Sequence, residues 1–398
     1  MFSYGFSFGS ARTHSPVPPP AAELPTIREL PDPFQQSDGS RLTTTEQWNH
    51  QRAQLQALIL GYQYGQIPAE RGPVTAVESS SAAHPQLPAR ISQVRLTCGP
   101  AGQFSFSLLV VAPKPAARRF PAIVSYSYGH DTSIWARVVD RGYLLAEFDR
   151  NEIAEDRPGG KNALRSYYPQ GDGGRLAAWA WGFQIAVDYL LTRPDVAPER
   201  IAITGHSRCG KAALLAGAID QRISLTCPNG SGCGGAGCYR FTPPGTEDLA
   251  AILGARPDWF APHLAEFIGC VARLPFDQHT LKALVAPRAL LSTEALGDLW
   301  ANPEGTQQTY LAARKVFQWL GVGDRIGIHY RQGGHDHNLE DWLALLDYAD
   351  YIFFSKPTRR HFHHLPFPAN HDLIPWSAPH EGVVSTPKRA KHTSKVQL

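Results

Sequence analysis

Short apolar runs alternate with helical patterns through the middle of the chain. Runs rich in Val, Ile, Leu and Phe predict buried strands at 104–113, 120–129, 143–149, 200–205, 223–230, 287–293 and 325–334. Helical periodicity fills the intervals, including 131–142 and a long pattern that starts at residue 176 and stops before Pro194. Buried strands that alternate with helices predict an α/β fold with a mostly parallel, doubly wound sheet in a three-layer sandwich.

The stretch ITGHSRCGKAAL, residues 201–212, places a serine between a predicted strand and a predicted helix. A serine on such a tight turn projects its hydroxyl from the edge of the sheet, where α/β-hydrolase folds carry their nucleophile. The usual pattern is G-x-S-x-G, whereas the second glycine here comes one residue late. Ser207 is therefore a candidate nucleophile, and a simple helix N-cap is the alternative interpretation.

Two cations follow the serine. Arg208 is its direct neighbour and Lys211 lies four residues after it. The positive end of the helix dipole disfavours cations in a first turn. We therefore interpret both side chains as facing a site where an oxyanion or an anionic substrate binds.

A serine hydroxyl needs a base that titrates near neutrality, and histidine is the usual choice. In the α/β-hydrolase order of serine, acid and histidine, the histidine follows the last strand. His335 fits this position, and His337 is the nearby competitor. The acid should follow the preceding strand, where Asp298 is the first candidate and Glu294 the second.

Composition and charge narrow the possible partners. The chain has 398 residues, is 43% hydrophobic and 18% charged, and carries a formal net charge of +3. This charge argues against nucleic acid and anionic membrane surfaces as partners, and no apolar run is long enough to span a bilayer. The six cysteines form no CxxC pair, so we predict small buried residues and no zinc site. No feature calls for a metal or an organic cofactor.

The ends of the chain differ in composition from the middle. Residues 1–25 are rich in Pro, Ser and Ala and predict a disordered segment. Residues 26–356 form the predicted catalytic domain, and 357–398 a polar, basic C-terminal tail. The first residues lack a basic start followed by an apolar block, so the sequence shows no secretory signal.

The residues around the serine resemble the glucuronoyl esterases, also called 4-O-methyl-glucuronoyl methylesterases, and their bacterial relatives. The family motif is G-x-S-R-x-G-K, so the late glycine is a family feature. Further segments that match are 229–240, 274–291, 298–305 and 333–342, with weaker similarity reaching residue 30. The resemblance covers roughly residues 30 to 355.

The resemblance implies an α/β-hydrolase fold and serine hydrolysis of esters of glucuronic acid, free or linked to a polysaccharide. It gives Ser207 the role of nucleophile and His335 that of base, with Arg208 binding the oxyanion. Lys211 and Trp300 correspond to residues that contact the uronate. Family members that act on plant cell walls are generally secreted.

The sequence departs from the fungal members in two places. Those carry the catalytic glutamate directly before S-G-x-G-G, where Gly230 stands here, whereas some bacterial relatives carry an acid where Asp298 and Glu294 lie. The fungal disulfide is absent, because His206 and Asp336 occupy its positions. Two alternative functions stay open: an acetyl-sugar or other carboxylesterase of the same fold, and an inactive carbohydrate-binding homologue.

Overall fold

The computed structural model describes residues 18–68, 71–114, 119–126 and 132–379. Within them one twisted sheet of nine strands has the order β1-β2-β3-β5-β4-β6-β7-β8-β9. The strands are Thr75–Ala83, Ala89–Cys98, Phe104–Pro113, Phe120–Ser125, Leu144–Phe148, Val196–His206, Leu225–Asn229, Ala289–Ala295 and Ile326–Arg331. Strands β1, β2, β3 and β5 pair antiparallel, and the pairs from β5 through β4 to β9 are parallel.

Helices cover both faces of this sheet. Ten α-helices occur in the described part: Trp48–Ile59, Thr132–Asp140, Arg150–Ile153, Ala163–Tyr167, Arg175–Thr192, Arg208–Ile219, Leu249–Ala255, Gln278–Ala283, Pro303–Trp319 and Leu339–Phe354. Of these, α2 and α10 pack on one face, and α5, α6 and α9 pack on the other. The layers follow the period of the strands: Ile201 and Ile203 of β6 join one core, and Ala202 between them joins the other.

The predicted α/β-hydrolase fold is confirmed, and seven of the observed strands lie within or overlap the predicted runs. The prediction missed β1 and β2. Strand β1 has the sequence TAVESSSAA and is exposed along most of its length, so it has no apolar run to detect. It extends the sheet away from the strand ends that carry the candidate site.

The described parts of both terminal segments contact the domain. Residues 18–25, inside the segment predicted to be disordered, include the 3-10 turn Ala21–Glu23, and the backbone N–H of Ala21 donates to Glu266. In the predicted tail, the indole of Trp376 donates to the carbonyl of Leu30, 2.7 Å away. The proposed domain boundaries stay predictions, with residues 1–17 and 380–398 outside the described part.

The six cysteines are free thiols, and five of them are buried, as predicted. In the part of the chain that the structure describes, no helix has both the length and the apolarity required to cross a bilayer.

Acid should weaken the fold through a buried histidine. His279 is fully buried and donates from Nε2 to the carbonyl of Pro31 at 2.8 Å, and burial lowers its pKa from 6.5 to about 4. The unfolded chain therefore binds a proton that the folded chain does not, and stability is lost as the pH falls from 6.5 towards 4.

We expect this residue alone to lower the free energy of unfolding by up to about 3 kcal/mol across that interval. Urea unfolding of the wild type and of His279→Gln at several pH values measures the effect. An equal slope of stability against pH in both proteins would contradict the assignment.

Candidate active site

Ser207 sits on a strained turn between β6 and α6. Its backbone has φ 55° and ψ −124°, a conformation that non-glycine residues seldom adopt. Two glycines make the turn possible. A Cβ on Gly205 would lie 2.4 Å from the carbonyl oxygen of Cys209, and one on Gly210 would lie 2.9 Å from that of Asn229. The late second glycine is thus required by close packing of the helix start against β7.

The side chain of Ser207 does not cap the helix. It makes no side-chain cap hydrogen bond, so the N-cap interpretation fails and the hydroxyl stays available for other partners. The turn is fixed through its backbone. The N–H of Ser207 donates to the carbonyl of Asn229 at 2.9 Å, and its own carbonyl accepts from the N–H of Lys211 at 3.0 Å.

His335 and Asp298 form a hydrogen-bonded pair at the carboxyl ends of β8 and β9. Nδ1 of His335 lies 2.6 Å from Oδ2 of Asp298. The carboxylate is buried, whereas the imidazole side chain is 41% exposed and therefore accessible to a substrate. The sequence prediction placed both residues in one triad, and the structure brings them into contact.

The loops that carry these two residues are joined by backbone contacts. The N–H of Gly297 donates to the carbonyl of Gly333 at 2.9 Å, and a Cβ on Gly297 would lie 2.6 Å from that oxygen. On the other side, the guanidinium of Arg331 bonds the carboxylate of Asp341 at 2.8 Å and the carbonyl of Asp336 at 2.7 Å. The distance between His335 and Asp298 is therefore fixed by contacts of the loops that carry them.

Glu294, the second candidate acid, lies deeper in the protein. It is 1% exposed, and neither carboxylate oxygen has a hydrogen-bond partner among the described residues. Burial raises the pKa of Glu294 well above its usual range, and the neighbouring charge of Lys282 opposes this shift only in part. Nζ of Lys282 bonds the carbonyl of Thr306 at 3.0 Å. Of the two candidate acids, Asp298 is the one that accepts the hydrogen bond from His335.

Arg208 is held beside Ser207 by an acidic and an aromatic side chain. Its Nη1 donates to Oδ2 of Asp156, and its guanidinium lies over the ring of Trp259, 4.9 Å from the centroid. The indole N–H of Trp259 donates to Oδ1 of the same carboxylate at 3.0 Å. One edge of the guanidinium is thereby fixed, and its side chain remains 34% exposed.

Lys211 is almost fully buried one turn into α6. Its Nζ donates to the carbonyl of Ser231 at 2.6 Å and lies 3.9 Å from Oε2 of Glu247. The backbone N–H of Glu247 donates to the carbonyl of Trp300 at 3.0 Å, which links this pair to the exposed indole. Lys211, one turn after Ser207, is therefore connected through Glu247 to the loop that carries Trp300.

The glycine-rich stretch 230–237 packs between α6 and the loop of the acid. Gly230 has a positive φ of 47°, and a Cβ there would lie 3.4 Å from Oδ2 of Asp298. A Cβ on Gly232 would lie 3.0 Å from the Cα of Ala301. These close approaches make the loop tight, and a carboxylate at position 230 would extend into the space of Asp298.

His206 forms a support behind the candidate base. Its ring centroid lies 4.4 Å from that of His335 and 5.9 Å from that of His337, and His337 stacks on Trp342 at 5.2 Å. Nδ1 of His206 lies 2.6 Å from Oδ1 of Asn229, and burial lowers the pKa of His206 to about 4. A neutral imidazole thus stands where the fungal relatives have a disulfide cysteine.

Sequence reasoning missed four residues of this site: Asn229, Asp156, Glu247 and Trp259. Each of them acts through a residue that was identified, and each comes from a loop or strand end with no motif of its own. Asn229 does lie in a segment that matches the family, directly before Gly230. Among the described residues, no group of three or more His, Cys, Asp or Glu side chains is arranged to hold a metal ion.

Comparisons with known proteins identify the family of the chain. The family model described as "Glucuronyl esterase, fungi" matches residues 99–321. A 4-O-methyl-glucuronoyl methylesterase of Schizophyllum commune is 31% identical over 82% of this chain and 82% of its own length. A carbohydrate esterase family 15 glucuronoyl esterase of Caldicellulosiruptor kristjansonii superposes with a TM-score of 0.78 at 30% identity, covering 90% of this chain and 99% of that one.

A glucuronoyl esterase mutant of Sporotrichum thermophile superposes with a TM-score of 0.75 at 26% identity, covering 89% of this chain and 96% of that one. The matches define the class of the protein, which is a carboxylic ester hydrolase of the α/β-hydrolase fold. More narrowly, the chain belongs to the glucuronoyl esterase family.

We expect His206→Ala to lower kcat by about ten-fold with little change in KM, because loss of the ring loosens the placement of His335. Steady-state ester hydrolysis measures both constants. His363→Ala removes an exposed histidine from the C-terminal segment and is the matched control. An unchanged kcat in His206→Ala would contradict the supporting role.

Proposed function

We propose that this protein hydrolyses esters of glucuronic acid through a triad of Ser207, His335 and Asp298. One observation carries the assignment of the triad. Nδ1 of His335 lies 2.6 Å from Oδ2 of Asp298, and the ring of His335 packs 4.4 Å from that of His206, the residue directly before Ser207. Since Nδ1 is engaged by the carboxylate, Nε2 is the nitrogen that takes the serine proton.

The reaction follows from these positions. The Ser207 oxygen attacks the ester carbonyl while His335 accepts its proton, and the resulting imidazolium is stabilised by the carboxylate of Asp298. His335 then protonates the departing alcohol and leaves a glucuronoyl ester on Ser207. Water, activated by the same histidine, releases glucuronate and restores the enzyme.

Charge that develops on the carbonyl oxygen is stabilised by two groups in this proposal. The first-turn N–H groups of α6 have no partners within the helix and lie at its positive end. The guanidinium of Arg208, fixed by Asp156 at one edge, supplies further N–H donors next to the nucleophile. Such donors act most strongly on the transition state, where the oxyanion exists.

The acyl side of the substrate meets Lys211, Glu247 and Trp300. An ammonium and a carboxylate 3.9 Å apart can donate to and accept from vicinal sugar hydroxyls, and an exposed indole suits the face of a pyranose ring. The Sporotrichum thermophile relative is a complex with methyl 4-O-methyl-β-D-glucopyranuronate. That ligand supports a uronate, free or linked to a polysaccharide, as the substrate of this chain.

Substrate class is tested by hydrolysis of benzyl glucuronate beside an acetylated sugar. We expect the wild type to hydrolyse the glucuronate ester preferentially, because the recognising groups lie on the acyl side. In Ser207→Ala we expect turnover to fall by at least about 10³-fold with the binding of the sugar retained. Turnover of the acetylated sugar alone would contradict the proposed substrate, and binding with no turnover in the wild type would contradict the triad.

The two candidate acids are separated by isosteric variants. Asp298→Asn should lower kcat by about 10²- to 10⁴-fold, because the amide cannot stabilise the imidazolium. Glu294→Gln should change kcat less than about three-fold, since burial favours the uncharged form of Glu294, which glutamine resembles. Thermal unfolding of both variants verifies that they fold. A larger loss in Glu294→Gln than in Asp298→Asn would reverse the assignment.

A further inference from the structure

Hydrolysis of the proposed substrate changes the charge of the group that occupies the acyl site. The ester that enters is neutral at its carbonyl, whereas the glucuronate that leaves carries a carboxylate at the same place. Two cations, Arg208 and Lys211, stand next to the nucleophile. Without compensation they would bind the product better than the substrate.

A buried carboxylate lies behind Arg208. The side chain of Asp156 is 6% exposed and accepts from Arg208, from Nη2 of Arg150 at 3.2 Å, and from the indole of Trp259 at 3.0 Å. Burial favours the protonated form of Asp156, but the hydrogen bond and the charge of Arg208 outweigh it and hold its pKa below the usual value. Asp156 is therefore ionised at neutral pH.

The second cation has a partner of the same kind, because the ammonium of Lys211 lies 3.9 Å from the carboxylate of Glu247. Each cation next to Ser207 thus has a largely buried carboxylate as partner, and Arg208 shares that of Asp156 with Arg150. The guanidinium can still donate a hydrogen bond to a transient oxyanion, because such a bond requires mainly that donor and acceptor be correctly placed. The net attraction for a permanent anion is reduced.

We propose that Asp156 is a positioning residue that holds Arg208 for the oxyanion and makes the acyl site favour the neutral ester over its anionic product. This inference rests on the proposed function. It assigns to a residue outside the triad the discrimination between substrate and product, and hence the ease of product release.

Asp156→Asn keeps the shape of the side chain and removes its charge, leaving Arg208 and Arg150 uncompensated. We expect glucuronate to bind about ten-fold more tightly in this variant, while KM for benzyl glucuronate changes less than about three-fold. Isothermal titration with sodium glucuronate gives the first quantity and initial rates give the second. The readout is the ratio of the affinity for glucuronate to the affinity for the ester, given by KM. A purely structural role of Asp156 would not change this ratio.

Arg150→Gln is an independent variant that should change the affinity for glucuronate in the opposite direction. It removes one cation from the carboxylate and leaves the pair of Asp156 and Arg208 intact, so glucuronate should bind several-fold more weakly with KM for the ester unchanged. This variant decides the question even where Asp156→Asn does not fold.

Asp188→Asn is the matched control. Asp188 also lies between two arginines and accepts from Arg71 at 2.9 Å and from Arg222. Arg222 follows the end of α6 that is farther from Ser207. We expect it to leave both glucuronate affinity and KM unchanged.

An unchanged ratio of acid to ester affinity in both Asp156→Asn and Arg150→Gln would overturn the inference. So would an equal tightening in Asp188→Asn, because it would point to overall charge. Failure of the proposed function shows separately, as absence of benzyl glucuronate turnover in the wild type.

Discussion

The turn at Ser207 is the constraint on which the rest of the site depends. Its positive φ costs about 1–3 kcal/mol for a non-glycine residue and persists only because the surroundings determine it. Helix α6 is pressed onto the sheet at both ends. Gly210 leaves room for the carbonyl of Asn229, and a Cβ on Gly217 would lie 1.9 Å from the hydroxyl of Thr226. Larger residues at these positions would lift the helix and release the turn.

The other groups of the site are positioned relative to this turn by β7 and the strands beside it. Asn229 accepts from the backbone of Ser207, lies 2.6 Å from the ring of His206 and donates to Thr293 at 2.9 Å. Through that single residue the nucleophile, the support of the base and the strand before the acid share one hydrogen-bond network. The contact between Gly297 and Gly333 then fixes the loops of acid and base. Chemistry at Ser207 is therefore tied to backbone geometry on four adjacent strands.

The close approach of Gly230 to Asp298 relates the two positions at which the resemblance to the family implies a catalytic acid. The carboxylate oxygen of Asp298 lies 3.4 Å from where the Cβ of residue 230 would be. A carboxylate from either position therefore reaches the same region beside the histidine. Glycine at position 230 leaves room for the aspartate at position 298. His335 therefore has an acidic partner although position 230 carries no carboxylate.

Local patterns in the sequence were sufficient for the parallel half of the sheet, because its strands are buried on both faces and read as apolar runs. They also located the candidates Ser207, His335 and Asp298 just after such strands, which is where the structure has them. Strand β1 was missed because it is polar and exposed. Asp156 and Glu247 were missed because their roles arise from long-range contacts with Arg208 and Lys211. Glu294 and Asp298 could not be separated by position along the chain, since burial is what distinguishes them.

The most direct test of the account is the rate at which an alkyl fluorophosphonate labels the protein, with the modified peptide identified by mass spectrometry. The account predicts a single adduct, on Ser207, and labelling at least about 100-fold slower in Asp298→Asn, because the activated serine requires an oriented histidine. An adduct on another residue, or labelling of Asp298→Asn at the rate of the wild type, would contradict it.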